Sequence, residues 1–193
     1  MNKLISFFVS GWEHIVDINA YDHLLFIMTL CAAFKLKEWK QLLVIVTAFT
    51  VGHSLTLILC ALDYVPPNST VVEALIPFTI MITALANVID YKNAAQFFDI
   101  KFKYGIALIF GLVHGLAFAS GFKFMMFGDS ILLPLFSFNV GIELGQLLIV
   151  LIFMATLWVF TNIVKGEHSK WNLFVSGAGF GIAATLFLNS LNG

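Results

Sequence analysis

The chain has no arginine among its ten basic residues, two cysteines, four prolines and little charge of any kind, 11% of its 193 residues. Each scarcity excludes something. With lysine alone as the cation and a formal net charge of −1, there is no electrostatic footprint for nucleic acid and no strongly basic surface patch. Cys31 and Cys60 both fall in apolar runs, towards opposite ends of their expected helices. A disulfide and a cysteine-rich metal motif are therefore not expected. A short apolar run, Leu4 to Val9, follows Lys3, but Glu13 and His14 interrupt it and no small-residue cleavage site follows. It reads as part of the mature protein.

What is abundant is hydrocarbon. Apolar residues make up 60% of the chain and the mean hydropathy is +0.96, far from the charge-rich composition of a soluble domain. A helix crossing a bilayer needs about 20 apolar residues. Six candidates meet or approach that length: roughly 21–34, 42–62, 71–89, 104–122, 131–163 and 171–189. The first is short and must begin earlier, embed thinly or lean on its neighbours. Residues 3–18 are amphipathic and too polar for a clean span. They are expected as a helix lying at the interface or tucked back into the bundle. The expected fold is all-α: one membrane domain over 1–193, with an interfacial or re-entrant N-terminal helix in 1–20 and a bundle of about six transmembrane helices in 21–193.

Lysines fall in alternate breaks: Lys35, Lys37 and Lys40, then Lys92, Lys101 and Lys103, then Lys165 and Lys170. By the positive-inside rule these breaks face the cytoplasm. Both termini, together with the breaks holding Asp63, Pro66 and Pro67 and holding Lys123 and Asp129, are then extracytoplasmic; Lys3 dissents. Trp12, Tyr21, Trp39, Tyr64, Tyr91, Tyr104, Trp158 and Trp171 fall near the expected helix ends, as an aromatic belt requires.

Against this background the ionisable residues inside apolar stretches stand out, because each is costly in hydrocarbon unless it is paired. They are His14, His23, His53 and His114, with Asp17, Asp22, Glu73 and Glu143. Imidazole and carboxylate also bind borderline divalent metals such as zinc and nickel, so a membrane-embedded metal site is the leading expectation. Counting from the outer helix ends puts His53 and His114 both roughly 13 Å deep. Asn139 and Glu143 reach a comparable depth, while Asp22, His23 and Glu73 lie near the outer surface. One cluster in the outer half is the expectation, with only neutral groups such as Thr29, Thr47, Thr83, Asn87 and Thr156 further in.

Simpler roles exist for most of these residues. His14 and Asp17 share a helix face and could simply be solvated. Asp22 could be an N-cap, and Glu73 could favour the positive end of a helix. Gln146, one turn beyond Glu143, could be the partner of that carboxylate, and solvent exposure accounts for His168. Gly111 with Gly115, Gly141 with Gly145, and Gly177 with Gly181 have a spacing that lets membrane helices approach closely. The first two pairs flank His114 and Glu143 and are expected to bring these within reach of a common ion, although such glycines also serve packing alone.

The run GWEHIVDINAYDHLLFIMTL, the stretch VTAFTVGHSLTLIL with VEALIPFTI after it, FGLVHGLAFA and FNVGIELGQ resemble, in that order, the HupE/UreJ family of bacterial membrane proteins. The resemblance covers most of the chain and implies a nickel permease of the bacterial inner (cytoplasmic) membrane. It also implies metal handling by His14, Asp22, His23 and His114, with His53 and Glu143 as further candidates. The chain departs from nickel-transporting relatives in a longer gap between His14 and Asp22 and in the single histidine of FGLVHGLAFA. Two other readings stand beside the permease. One is a zinc hydrolase acting on a lipid or peptide bond, with Glu143 or Asp22 as the catalytic carboxylate. The other is a metal-stabilised scaffold or assembly protein. Expected partners are the lipid bilayer and a nickel or zinc ion, with a homo-oligomer as a further option and no nucleic acid.

Overall fold

In hydrocarbon a backbone has no water to bond, so long apolar runs must close their hydrogen bonds internally, and every element among the described residues is helical. The computed structural model describes residues 3–18, 22–66, 69–89, 91–96, 99–125 and 131–192; Tyr21, Pro67 and Asp129 lie outside them. Among the described residues seven α-helices follow one another: α1 (Lys3–Val16), α2 (Asp22–Ala32), α3 (Trp39–Ala61), α4 (Ser69–Ile89), α5 (Ile100–Met125), α6 (Leu132–Asn162) and α7 (His168–Asn192). Five stretches among these residues are long and apolar enough to cross a membrane: Leu36–Ala61, Val71–Ile89, Ile100–Met125, Leu132–Asn162 and His168–Asn192. The sixth expected span is α2, apolar but only 11 residues long.

The shortness of α2 is resolved by α1. Along α1, Phe7 meets Phe122 and His14 meets Phe118; along and just beyond α2, His23 meets His114, Phe26 meets Phe110 and Phe34 lies under Lys103. The partners on α5 fall steadily from 122 to 103. The two short helices therefore descend α5 in one direction, one after the other, and their 14 and 11 residues rise about 21 and 16 Å. Neither alone matches the roughly 30 Å hydrocarbon core, whereas the two in sequence do. The break between them lies mid-bundle. Trp12, two residues before His14, is thus placed in the bundle rather than in an aromatic belt.

Close backbone approach sets the rest of the packing. A Cβ on Gly52 would lie 2.1 Å from the Leu108 carbonyl oxygen and one on Gly111 would lie 2.1 Å from that of Phe49, so α3 and α5 touch backbone to backbone. Similarly, a Cβ on Gly11 would lie 2.0 Å from the Phe138 oxygen and one on Gly141 would lie 2.2 Å from that of Phe8, which joins α1 to α6. Gly111 meets Phe49 and Gly115, one turn on, meets His53, while Gly141 meets Phe8 and Gly145 meets Ile15, so residue numbers rise together along both pairs and each pair runs parallel. Gly177 and Gly181 meet nothing, and their face of α7 is open.

α7 packs on α4 and α2 through a polar knot at the lysine-rich end. The Asn87 amide donates to the Thr29 carbonyl at 2.8 Å and to Ser176 Oγ at 3.1 Å, and the Asn172 amide donates to the carbonyls of Asn87 and Tyr91, both at 3.1 Å. His168 belongs to the same end: its Nε2 is 3.1 Å from the Phe34 carbonyl, so it is half-buried and partnered rather than simply solvated. Cys31 and Cys60 are both buried free thiols.

Candidate metal centre

The break between α1 and α2 faces α3 and α5. His14 stands in the last turn of α1 and His23 in the first turn of α2, so the interruption places two imidazoles, nine positions apart in sequence, 4.5 Å apart between ring centroids. His53 on α3 completes the group. Its ring is 5.6 Å from that of His14 and 5.9 Å from that of His23, and one ligand nitrogen from each of the three lies within 4.8 Å of the others. Zinc in tetrahedral coordination holds nitrogens at about 2.05 Å from the ion and hence about 3.3 Å from each other. Binding an ion would draw the three nitrogens closer together than they stand.

These nitrogens have little else to bind. His23 and His53 are 4% and 0% exposed, so bulk water does not reach them. Among the described residues, His14 Nε2, His23 Nε2 and both ring nitrogens of His53 have no hydrogen-bond partner. Buried polar atoms left unpaired cost free energy that an ion would offset. The surroundings are dry: Phe118 lies over His14 at 4.1 Å and stacks on Phe138 at 5.1 Å, and Phe49 and Phe26 close the opposite side.

His114 forms a fourth position beside the three. It is fully buried on α5, with its ring 5.1 Å from that of His23. Its Nε2 is 3.1 Å from Thr79 Oγ1, and that hydroxyl donates its only hydrogen to the Ile76 carbonyl at 2.7 Å. Thr79 can then only accept, so Nε2 carries the proton and Nδ1 presents a lone pair, for which the described residues offer no donor. Thr79 is a residue that sequence reasoning missed. Its signal was a hydroxyl two residues after Pro77, in a helix that also carries Glu73, Thr83 and Asn87.

The carboxylates are dispersed. Glu143 on α6 accepts a hydrogen bond from Thr47 Oγ1 at 2.7 Å, and Gln146 accepts one from Thr50 Oγ1 at 2.7 Å. Thr47 precedes His53 by six residues, about 9 Å along α3 towards the lysine-rich end. Glu143 thus meets a threonine hydroxyl rather than Gln146. The glycines flanking Glu143 pack α6 against α1, and those flanking His114 pack α5 against α3. Asp22 is the first residue of α2, half-buried next to His23, and Asp17 is exposed in the break. Both are therefore at mid-bundle depth, and neither Asp22 nor His23 lies at the outer surface where counting along a continuous span puts them. Glu73 is exposed on α4.

The fold and this site define a polytopic helical membrane protein with a buried histidine cluster that could hold a metal ion. The profile of the HupE / UreJ protein family matches residues 1–190, and the chain belongs to that family. No curated protein and no solved structure matches it.

Proposed function

We propose that this chain is a permease for a divalent transition metal, with nickel the favoured cargo, and that the ion is held by His14, His23 and His53, with His114 as the next position along its path. The observation that carries the reading is the meeting of three buried imidazoles at a break between two half-length helices. Discontinuous helices that end at mid-depth are how many secondary transporters build a central site, because a helix terminus offers unpaired backbone groups to a substrate. Here the carbonyl end of α1 favours a cation. Neutral imidazoles suit nickel, copper and zinc, and the family's link to nickel handling favours the first. Asp22 and Asp17 offset the charge of the ion from beside the break, while Glu143 and Glu73 serve at a distance from the central three.

In the same reading the chain forms one membrane domain in the bacterial cytoplasmic membrane. α1 and α2 count as one crossing and the remaining five helices as one each, an even number, so the two termini share a side. The lysine-rich end opposite them then faces the cytoplasm. The hydrolase alternative requires a carboxylate beside an open metal position; Glu143 is engaged by Thr47, which leaves Asp22, next to His23, as its candidate.

Purified protein in proteoliposomes with nickel outside tests this reading. The expected result is uptake of radioactive nickel and metal retention by elemental analysis, both lost in the double substitution His23→Ala and His53→Ala while membrane insertion persists. Undiminished uptake, or unchanged metal stoichiometry, in the double variant would overturn it.

A further inference from the structure

Below the histidines, between α2, α4 and α5, lies a cavity of about 330 Å³. That is more than twice the ~150 Å³ of an apolar cavity known to stay dry and take up benzene. Phe26 and Phe110 form its upper end, and only three of its lining residues are polar: Thr83, Asn87 and Lys103. Two of these are already engaged, because the Thr83 hydroxyl donates to the Thr79 carbonyl at 2.9 Å and the Asn87 amide donates to Thr29 and Ser176. The interior therefore offers almost nothing to a metal ion, and the ammonium of Lys103 at its lower end repels one. The cavity suits hydrocarbon instead.

Its position suits hydrocarbon from the bilayer in particular. On the α4 side of the rim Ile82, Leu85 and Ile89 are 41%, 53% and 64% exposed, and on the α5 side Phe102 is 51% exposed, so the cavity opens sideways between two membrane helices. Lipid tails occupy that plane. At the mouth, Lys103 donates to the Ala95 carbonyl and lies 5.7 Å from the Phe34 ring. An ammonium has three hydrogens, so this bond leaves two for an anion. Lys92 and Lys101 are exposed at the same end; of the described acids there, Glu38 attracts the Lys103 ammonium and accepts the Lys35 amide at 2.8 Å, and Asp99 accepts the Lys101 amide at 3.1 Å.

We infer that this cavity binds an anionic phospholipid, with one acyl chain inserted between α4 and α5 up to Phe26 and Phe110 and the phosphate on Lys103. The chain fills space that otherwise leaves its lining without dispersion partners. The headgroup is selected by lysine at the level where anionic lipids concentrate such residues. This site is independent of the metal reading, since none of its polar groups belongs to the histidine cluster.

Native mass spectrometry of delipidated full-length protein, incubated separately with palmitoyl-oleoyl phosphatidylglycerol, the matching phosphatidylcholine and oleate, tests the inference. Phosphatidylglycerol should be retained about fivefold over phosphatidylcholine, the weight of one lysine at an anionic headgroup. Lys103→Gln should abolish that preference, and Ala86→Leu, which fills the cavity wall, should lower retention of both lipids. Equal retention by the native chain, a preference that survives Lys103→Gln, retention that survives Ala86→Leu, or binding of oleate without phosphatidylglycerol would each overturn it. A phosphatidylglycerol with a photoreactive group at its acyl terminus serves where Ala86→Leu does not fold. Crosslinks should map to α2, α4 and α5 around Phe26 and Phe110, and crosslinks confined to the outer face of α7 would end the proposal.

Discussion

Thr79 and His114 meet through a 3.1 Å contact between Oγ1 and Nε2, with the threonine hydrogen already committed to the Ile76 carbonyl. The contact fixes which imidazole nitrogen carries the proton, and it ties α4 to the site although α4 contributes none of the three gathered imidazoles. Partners of this kind orient a ligand histidine and tune its basicity.

Thr79→Val removes this acceptor while keeping shape. Removing such a partner weakens a histidine's hold on metal by about 10- to 100-fold, so nickel uptake into proteoliposomes through the His114 position should fall, while metal held by His14, His23 and His53 persists by elemental analysis. Thr79→Ser should restore uptake. If Val and Ser variants transport alike, the hydroxyl does not set the tautomer.

Glycine contacts divide into those that hold the bundle and those that do not. A methyl at Gly111 would sit 2.1 Å from the Phe49 carbonyl oxygen, against backbone that cannot rotate away. Gly111→Ala should therefore destabilise the protein by at least about 1–3 kcal/mol, read as a lower thermal midpoint in detergent. It should also loosen His114 from His53, since α3 and α5 carry one each. Gly177→Ala and Gly181→Ala meet nothing within 4 Å and should leave the midpoint unchanged.

Glu143→Gln distinguishes a carboxylate at a distance from a ligand. The amide oxygen can still accept from Thr47, so the protein should fold normally, and elemental analysis should find the metal content of the native chain. Metal loss comparable to that of His53→Ala would put Glu143 in the coordination sphere.

Much of the bundle was readable from hydrophobic runs, because in lipid a long apolar segment has one backbone solution. Five of the six expected spans appear as helices within a few residues of their expected limits, and the first is too short to cross alone. Which neighbour helps was not readable. Glu13, His14 and Asp17 interrupt the apolar face of residues 3–18, which left an interfacial helix and one tucked back into the bundle both open; the helix packs lengthwise on α6, where Gly11 and Gly141 let the backbones touch. Sequence reports polarity at a position but not whether a polar group is turned towards water or towards another polar group.

The histidines show the same division. That His14, His23, His53 and His114 required partners followed from the cost of placing imidazole in hydrocarbon. That three of them share one point while Glu143 stands apart with Thr47 did not follow. Depth counted along a continuous helix misplaced Asp22 and His23, since the break between α1 and α2 resets the count.

Composition and periodicity alone determined that this chain is a helical membrane protein with buried ionisable groups, because the bilayer penalises each exposed peptide and each unpaired charge locally, residue by residue. Which of those groups converge was decided only in the tertiary structure. Convergence depends on where one helix stops, which glycines let two backbones meet, and how each helix is turned about its axis, and these are properties of helix pairs that no single segment carries.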